Sequence, residues 1–315
     1  MKFLVVLSMA CLSLGVLHGQ TPPTQVLSKD TTKTAKDTSY WKKGGLLSLS
    51  AAQTSLTNWS AGGDNSIALG ALFSGHLRYE KSRWAWDNNL DLGYGLQKLG
   101  VNPLRKSDDK MEINSKLGYK TATHWYLTLL GNFKSQFSKG YDYTLPVNDT
   151  TYLSKFLAPG YVTVALGMDW KPNDVFALFL SPLAGKFTLV NDPRLAAAGA
   201  FGVDSGKMVK SEMGAYLNLL LQAKLMDNVN LKTKLDLFTN YLDPKGLGNV
   251  DVNWENILSL KVNKLISVTV TTNLIYDNDI QIQTFKKVNG VEVPDRIGPR
   301  TQFKEVVGVG FAYVL

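Results

Sequence analysis

The sequence predicts an all-β chain, a twelve-stranded antiparallel up-and-down transmembrane β-barrel, and three observations carry that expectation. Apolar and polar residues alternate with period two from Leu46 to the last residue, the signature of strands with one face toward an apolar phase. Short and long connections between the strand-like segments alternate without exception, as in a meander whose turns lie at one end and whose loops lie at the other. Aromatic residues gather at segment ends, where membrane barrels carry their girdles. Composition agrees: 19% of the 315 residues are charged and 44% hydrophobic, a mixture that suits interleaved strands.

In chain order, Met1-Lys2 and the apolar run Phe3 to Leu17 have the form of a secretory signal peptide, expected to occupy residues 1–19. The run is short for a spanning helix. Residues 20–39 are rich in Thr, Lys and Pro, with almost nothing apolar, and are expected to form a disordered periplasmic tail ahead of a barrel at 40–315. Strands are expected at 44–56, 66–80, 84–97, 110–120, 125–137, 154–170, 175–190, 208–224, 229–241, 252–263, 265–277 and 302–315. Several exceed ten residues, a length matched to a tilted bilayer crossing. In the ninth, Val229, Leu231, Leu235 and Leu237 share the face assigned to lipid, and Lys232, Lys234 and Asp236 the face assigned to the lumen. On that assignment Leu235→Arg should impair assembly more than Lys234→Leu.

Short turns are expected at Lys81 to Arg83, Thr121 to His124, Lys171 to Asp174, Leu225 to Asn228, and Lys264, and long loops at 57–65, 98–109, 138–153, 191–207, 242–251 and 278–301. That order puts both termini at the short-turn end. Tyr79, Trp84, Trp86, Tyr119, Trp125, Trp170 and Phe176 flank the short turns, and Tyr94, Phe137, Tyr241, Trp254 and Tyr276 approach the long loops, giving two expected membrane belts. The polar face carries His76, Arg78, Glu80, Asp87, Asp91, Glu112, Lys116, Lys120, Lys134, Asp169, Glu212, Lys232, Lys234, Asp236, Glu255, Lys261 and Asp277 as lumen-lining candidates. A soluble barrel or sandwich would turn these to water instead; the leader, strand lengths, loop order and belts favour the membrane. The signs nearly balance, which predicts ion pairs across a narrow lumen rather than a passage lined by one charge.

Several chemistries are disfavoured. Cys11, inside the leader, is the only cysteine, so a mature chain offers no disulfide, no thiolate and no cysteine-bound zinc. His18, His76 and His124 are the only histidines, and neither a metal nor a cofactor is expected. Gly62-Gly63-Asp64-Asn65 lacks the spacing of a phosphate or calcium loop and reads as a turn. Asp277-Asn278-Asp279 reads as a solvated strand end. Ser74-Gly75-His76 puts a hydroxyl and an imidazole on one face, but with no oxyanion-hole motif beside it, so no catalytic residue is assigned. The formal charge of +8 is spread over turns and loops, which argues against nucleic acid. Arg105, Lys106, Lys139, Lys207, Lys210, Lys245, Lys286, Lys287, Arg296 and Arg300 in the long loops are expected either to meet lipopolysaccharide phosphates or simply to keep the loops soluble.

The chain resembles a family of Gram-negative outer-membrane barrels known as domain of unknown function 3078. The residues that carry the resemblance are Asn58-Trp59-Ser60-Ala61-Gly62-Gly63, Trp170-Lys171-Pro172-Asn173-Asp174, Ser181-Pro182-Leu183-Ala184-Gly185-Lys186, Gly199-Ala200-Phe201-Gly202-Val203 and Val307 to Leu315, so that the likeness spans about 40–315. It implies a barrel in the outer membrane and brings no catalytic residue. Outer-membrane lipid, lipopolysaccharide and the barrel-assembly machinery are the expected partners. A narrow passive pore for a small solute is the leading functional expectation. A structural or partner-docking barrel and a lipid-modifying enzyme are the alternatives.

Overall fold

A computed structural model describes residues 40–56, 64–143, 152–243, 246–263, 266–288 and 291–314. The expected leader and tail, and the motif at 58–63, lie outside the described residues. The chain forms β1 (Trp41–Thr54), β2 (Ser66–Lys81), β3 (Trp84–Leu99), β4 (Arg105–Ala122) and β5 (Trp125–Ser135), then two short strands, β6 (Gly140–Tyr141) and β7 (Tyr152–Ser154). β8 (Gly160–Trp170) and β9 (Phe176–Leu189) precede a short helix, α1 (Pro193–Ala197). The chain continues with β10 (Val209–Met226), β11 (Val229–Asn240), β12 (Val250–Lys261), β13 (Ile266–Tyr276), β14 (Ile282–Val288), β15 (Val291–Gly298) and β16 (Gln302–Val314).

Twelve of these strands close into an antiparallel barrel in the order β1-β16-β13-β12-β11-β10-β9-β8-β5-β4-β3-β2. Each pairs with its neighbours along the chain, so the topology is the expected meander, while β6-β7 and β14-β15 are separate hairpins inside two long loops.

Burial runs opposite to that of a water-soluble barrel. Along β4, Glu112, Asn114 and Lys116 point inward and are buried, whereas the alternating Ile113 and Leu117 are exposed on the outside. β5 repeats the pattern, with Thr128 and Asn132 inside and Leu127 and Leu129 outside. Asp169 is fully buried, while Leu, Val and Trp side chains dominate the exposed exterior. An apolar outer face around a charged interior costs free energy in water and is stable in hydrocarbon, so the barrel is built to cross a bilayer.

One irregularity re-aims side chains. Pairing between β8 and β9 jumps from Leu166↔Leu183 to Met168↔Leu180, and Pro182, which has no N–H to give a ladder, lies in the resulting bulge. Ser181 stitches it, its hydroxyl donating to the Leu166 carbonyl at 2.8 Å. A Cβ at Gly167 would overlap the Leu180 carbonyl oxygen, so the facing position of β8 takes glycine. Beyond the bulge the inward parity changes from Phe179 and Ser181 to Ala184, Lys186 and Thr188.

The connections largely follow expectation. Two-residue turns join β2 to β3, β4 to β5 and β10 to β11, and the first two use positive φ at Ser82 and His124. The expected loop at 98–109 is a correction: β3 runs to Leu99 and β4 begins at Arg105, leaving Gly100 to Leu104 between them. Arg105 and Lys106 are therefore strand residues rather than loop cations. Lys106 turns in to Asp109, 2.8 Å away, and to the Ser138 carbonyl at 2.9 Å.

The two ends of the barrel give a topology test. Cysteines placed singly at Asp174, in the β8–β9 turn and 94% exposed at its side chain, and at Arg296, in β15, should label from opposite sides. With the long loops outside, intact cells should react with a membrane-impermeant maleimide at position 296 only. Labelling at 174 alone would invert the barrel.

Candidate functional site

The lumen is where the sequence-predicted polar residues meet, and three tiers of ion pairs cross it. The central tier comes from β4, β5, β11 and β12. Lys110 reaches Glu255 at 2.6 Å and Glu112 at 3.3 Å, Lys134 reaches Asp236 at 2.9 Å and Glu112 at 3.6 Å, and Lys234 bonds Glu112. Three lysines thus face three carboxylates. Neutral donors complete it: Tyr216 and Asn218 donate to Asp236 at 2.6 and 2.7 Å, and Asn132 donates to Glu112 at 2.9 Å. Glu112 is 2% exposed and Lys234 8%, so charges at this level are dry enough to depend on one another.

A second tier lies toward the short turns. Arg78 approaches Asp87 at 3.4 Å and Glu80 at 3.0 Å, and Lys171 approaches Asp87 at 2.5 Å and Asp169 at 3.1 Å. Lys116 is 3.7 Å from Asp169 and lies over the Phe179 ring. The third tier, toward the long loops, centres on Lys186, which meets Asp251 at 2.6 Å, Asp277 at 3.1 Å and Glu212 at 3.8 Å. Lys210 joins it through Glu212 at 3.2 Å and through Asp279.

Between the charges the lumen also holds an apolar cluster of Leu130, Ala165, Phe179, Ala184, Tyr216 and Phe238. A cavity of about 270 Å³ remains, lined by His76, Arg78, Asp91, Asn114, Lys232 and the Asn173–Val175 turn among others. Beside it, the Ser74 hydroxyl donates to Asp91 at 2.5 Å, and Lys232 reaches Asp91 at 3.1 Å and the Ser74 oxygen at 3.2 Å. His76 packs its ring against Gly44 of β1, where a Cβ would not fit. Ser74 is thus held by a carboxylate and an ammonium.

The structure gathers Arg78, Glu80, Asp87, Asp91, Glu112, Lys116, Lys134, Asp169, Glu212, Lys232, Lys234, Asp236, Glu255 and Asp277 into these networks. Lys120 lies exposed at the short-turn end, and Lys261 is half-buried. Lys110, Lys171, Lys186 and Asp251 belong to the networks although sequence reasoning left them out. Lys110 shares the inward parity of Glu112, which was legible; Lys186 is hidden by the change of parity at the Pro182 bulge. Asp277 and Asp279, the expected solvated strand end, take Lys186 and Lys210 as counterions. Lys210 is accordingly no free loop cation.

The expected belt at the short-turn end is a chain of outward rings. Trp41 lies 4.9 Å from Tyr79 and 6.1 Å from Trp86, Trp84 lies 5.1 Å from Tyr119, and Trp125, Trp170 and Phe176 follow in succession. Trp254 is outward as well, but it stands four residues inside β12 and donates its indole N–H to Thr233 at 2.9 Å.

At the long-loop end, α1 and its neighbours form a small apolar unit of Tyr152, Ala158, Val190, Leu195, Ala196 and Val203. Asp192 caps α1 by accepting from Leu195 N–H at 2.9 Å, takes the Tyr152 hydroxyl at 2.5 Å and pairs with Lys155 at 2.8 Å. Burial alone would raise the Asp192 carboxyl; the Lys155 and Tyr152 hydrogen bonds and the Leu195 N–H override it and hold the group well below the ordinary carboxylate range. A depressed folded-state value stabilises this unit above the unfolded carboxyl value, near 4, and that contribution is lost as pH falls through the folded value. Asp192→Asn should therefore make the 190–208 segment protease-sensitive at neutral pH, where the unaltered chain resists. Equal resistance would remove Asp192 as the pin of this unit.

Comparison with known proteins adds a family and a set of distant barrels. No curated protein matches the chain. The COG4313 outer membrane channel from Pseudomonas putida F1 aligns at 10% identity and a TM-score of 0.38, over 88% of this chain and 96% of that one. The NanC porin aligns at 8% and 0.34, over 84% and 98%, and the translocator domain of the autotransporter NalP from Neisseria meningitidis at 8% and 0.33, over 85% and 86%. These likenesses are distant and say nothing of role. The family match is narrower than the resemblance spanning 40–315: of the motifs that carried it, only 58–63 falls inside. Residues 51–141, from the end of β1 through β5 to Tyr141, carry the signature of DUF3078, a protein family of unknown function.

Proposed function

We propose that the chain is an outer-membrane barrel of a Gram-negative bacterium that lets small solutes through a narrow, charge-paired lumen, with no covalent chemistry. The observation that carries this reading is the central tier, in which Lys110, Lys134 and Lys234 face Glu112, Asp236 and Glu255 across the barrel. A balanced constriction of long side chains admits water and small solutes by rearranging ion pairs and gives no strong preference for either sign of ion. Export by the amino-terminal leader and insertion by the barrel-assembly machinery belong to this reading. So does contact of the exposed loop cations with lipopolysaccharide.

The deep burial of Glu112 favours a second reading, a closed barrel that serves as a structural or docking element. Planar-bilayer recording separates the two. Resolved conductance that rises in the Glu112→Gln/Lys234→Met double variant supports the pore. Silence in both proteins, with subunits co-purifying from native membranes, supports the closed barrel. Phospholipid turnover lost in Ser74→Ala would instead favour a lipid-modifying enzyme.

A further inference from the structure

The barrel is closed unevenly. β1 pairs with β2 at every position from Trp41 to Thr54, but with β16 only from Leu46↔Val314 to Ser50↔Gly310. β16 pairs with β13 from Gln302 to Phe311. Ala51–Thr54 and Gln302–Val309 therefore each have one edge that pairs with no strand among the described residues. In hydrocarbon an unpaired strand edge is costly, because its N–H and C=O groups find no water.

A cavity of about 530 Å³ lies at this place. Its lining mixes residues from the two sides of the wall: Ser48, Ala68 and Thr269 from the lumen face, Leu69, Val307 and Val309 from the lipid face. The space therefore passes through the wall. The lining from β1 and β2 is mostly Ser, Ala and Gly, and there Ser50 closes so near Gly308 and Gly70 that a Cβ on either glycine would crowd it. The Thr269 hydroxyl lines the same space, is buried and has no hydrogen-bond partner among the described residues. Outside, Phe303, Val307 and Phe311 are 63%, 58% and 63% exposed toward the acyl chains. At the outer end Lys304 bonds Asp108 at 2.5 Å, and the charged lining sums to zero, with Lys106 and Lys304 against Asp108 and Glu305.

We infer that the β1–β16 seam is a lateral port that takes one linear alkyl chain of a zwitterionic bilayer amphiphile through the barrel wall, with the headgroup at the Lys304–Asp108 pair. The apolar outer lining accepts the chain, the small residues leave room for it, and the balanced charges at the rim match a head of no net charge. The port rests on the membrane-barrel reading and goes beyond the solute pore: its route runs through the wall rather than along the axis.

The test uses the full chain in phosphatidylcholine vesicles doped with a phosphatidylcholine that carries a diazirine on one acyl chain. After irradiation, peptide mapping should place adducts on the lumen-facing Ser48, Ala68 and Thr269 as well as on the outward Leu69 and Val309. Ala51→Cys/Val309→Cys, the next pair in the Ser50↔Gly310 register, should close the seam on oxidation and abolish the lumenal adducts while the outward one at Leu69 persists; reduction should restore them. Ala68→Phe, which fills the cavity, should abolish them without any cross-link. Adducts confined to outward residues in the unaltered protein would overturn the port and leave the barrel standing. Lumenal adducts that survive both variants would also overturn it, and an absence of any adduct would sink the membrane-barrel reading itself. Lumenal adducts formed only with a fatty-acid probe would overturn the zwitterionic assignment.

Discussion

Replacing Glu112 by Gln is expected to destabilise the barrel by about 3–5 kcal/mol, the usual cost of leaving a buried charge unpaired. Glu112 is the shared acceptor of Lys110, Lys134 and Lys234, and it is 2% exposed. Without its charge, three ammonium groups share the carboxylates of Asp236 and Glu255 around a buried centre, with Lys234 and Asp236 both largely out of water. Lys234→Met on top of Glu112→Gln removes one positive charge, restores the balance of two against two, and should recover most of the loss. Urea titration in lipid vesicles, read by heat-modifiable gel mobility, measures both. If the double variant is as unstable as the single one, side-chain packing rather than charge pairing holds this tier together.

The same tier changes the order expected from the alternation alone. Arg at Leu235, outward beside Trp254 and Leu219, should cost about 2–4 kcal/mol at the bilayer midplane. Lys234→Leu, which looked the milder change, strips Glu112 and Asp236 of a partner and should cost at least as much. Alternation along β11 identifies the face a residue occupies. It says nothing of the depth at which that residue meets a strand a hundred positions away, and depth decides the partner.

That distinction separates what was legible from what was not. Period two, short turns with Ser82 or His124 at positive φ, and aromatic strand ends are local signals, and they gave all twelve barrel strands and their order. Lys186 was missed because the Pro182 bulge changes the parity within one strand. Phe238 shares the inward parity of Lys234 and Asp236, but Leu130, Phe179 and Tyr216 were not expected to join it in the lumen, because pattern alone ties apolar side chains to the lipid face. The Arg105 end of β4 reads as loop, since Arg105 to Lys110 is polar throughout; Lys106, Asp109 and Ser138 hold it in place through contacts distant in sequence. The partial closure between β1 and β16 joins residues at opposite ends of the chain, and no local pattern announces it.

In planar bilayers the unaltered protein is expected to conduct weakly and with little preference between small cations and anions. Twelve strands enclose more room than the roughly eight whose side chains fill a barrel and less than the roughly 16–18 of a water-filled porin. Here much of that room is taken by the apolar cluster around Phe179 and by lysines whose ammonium groups lie over the Phe179, Tyr126 and Phe238 rings. Permeation has to proceed past ion pairs that carry both signs, so neither sign of ion is concentrated at the constriction. The formal charge of +8 covers all 315 residues, the amino-terminal 39 included, and exposed loop cations are screened within about a Debye length of physiological salt. Glu112→Gln/Lys234→Met removes one charge of each sign from the central tier, so it should raise the conductance and leave the reversal potential in a salt gradient where it was. A large, strongly anion-selective conductance in the unaltered protein would mean that the ion pairs do not close the lumen and that the basic residues line an open path.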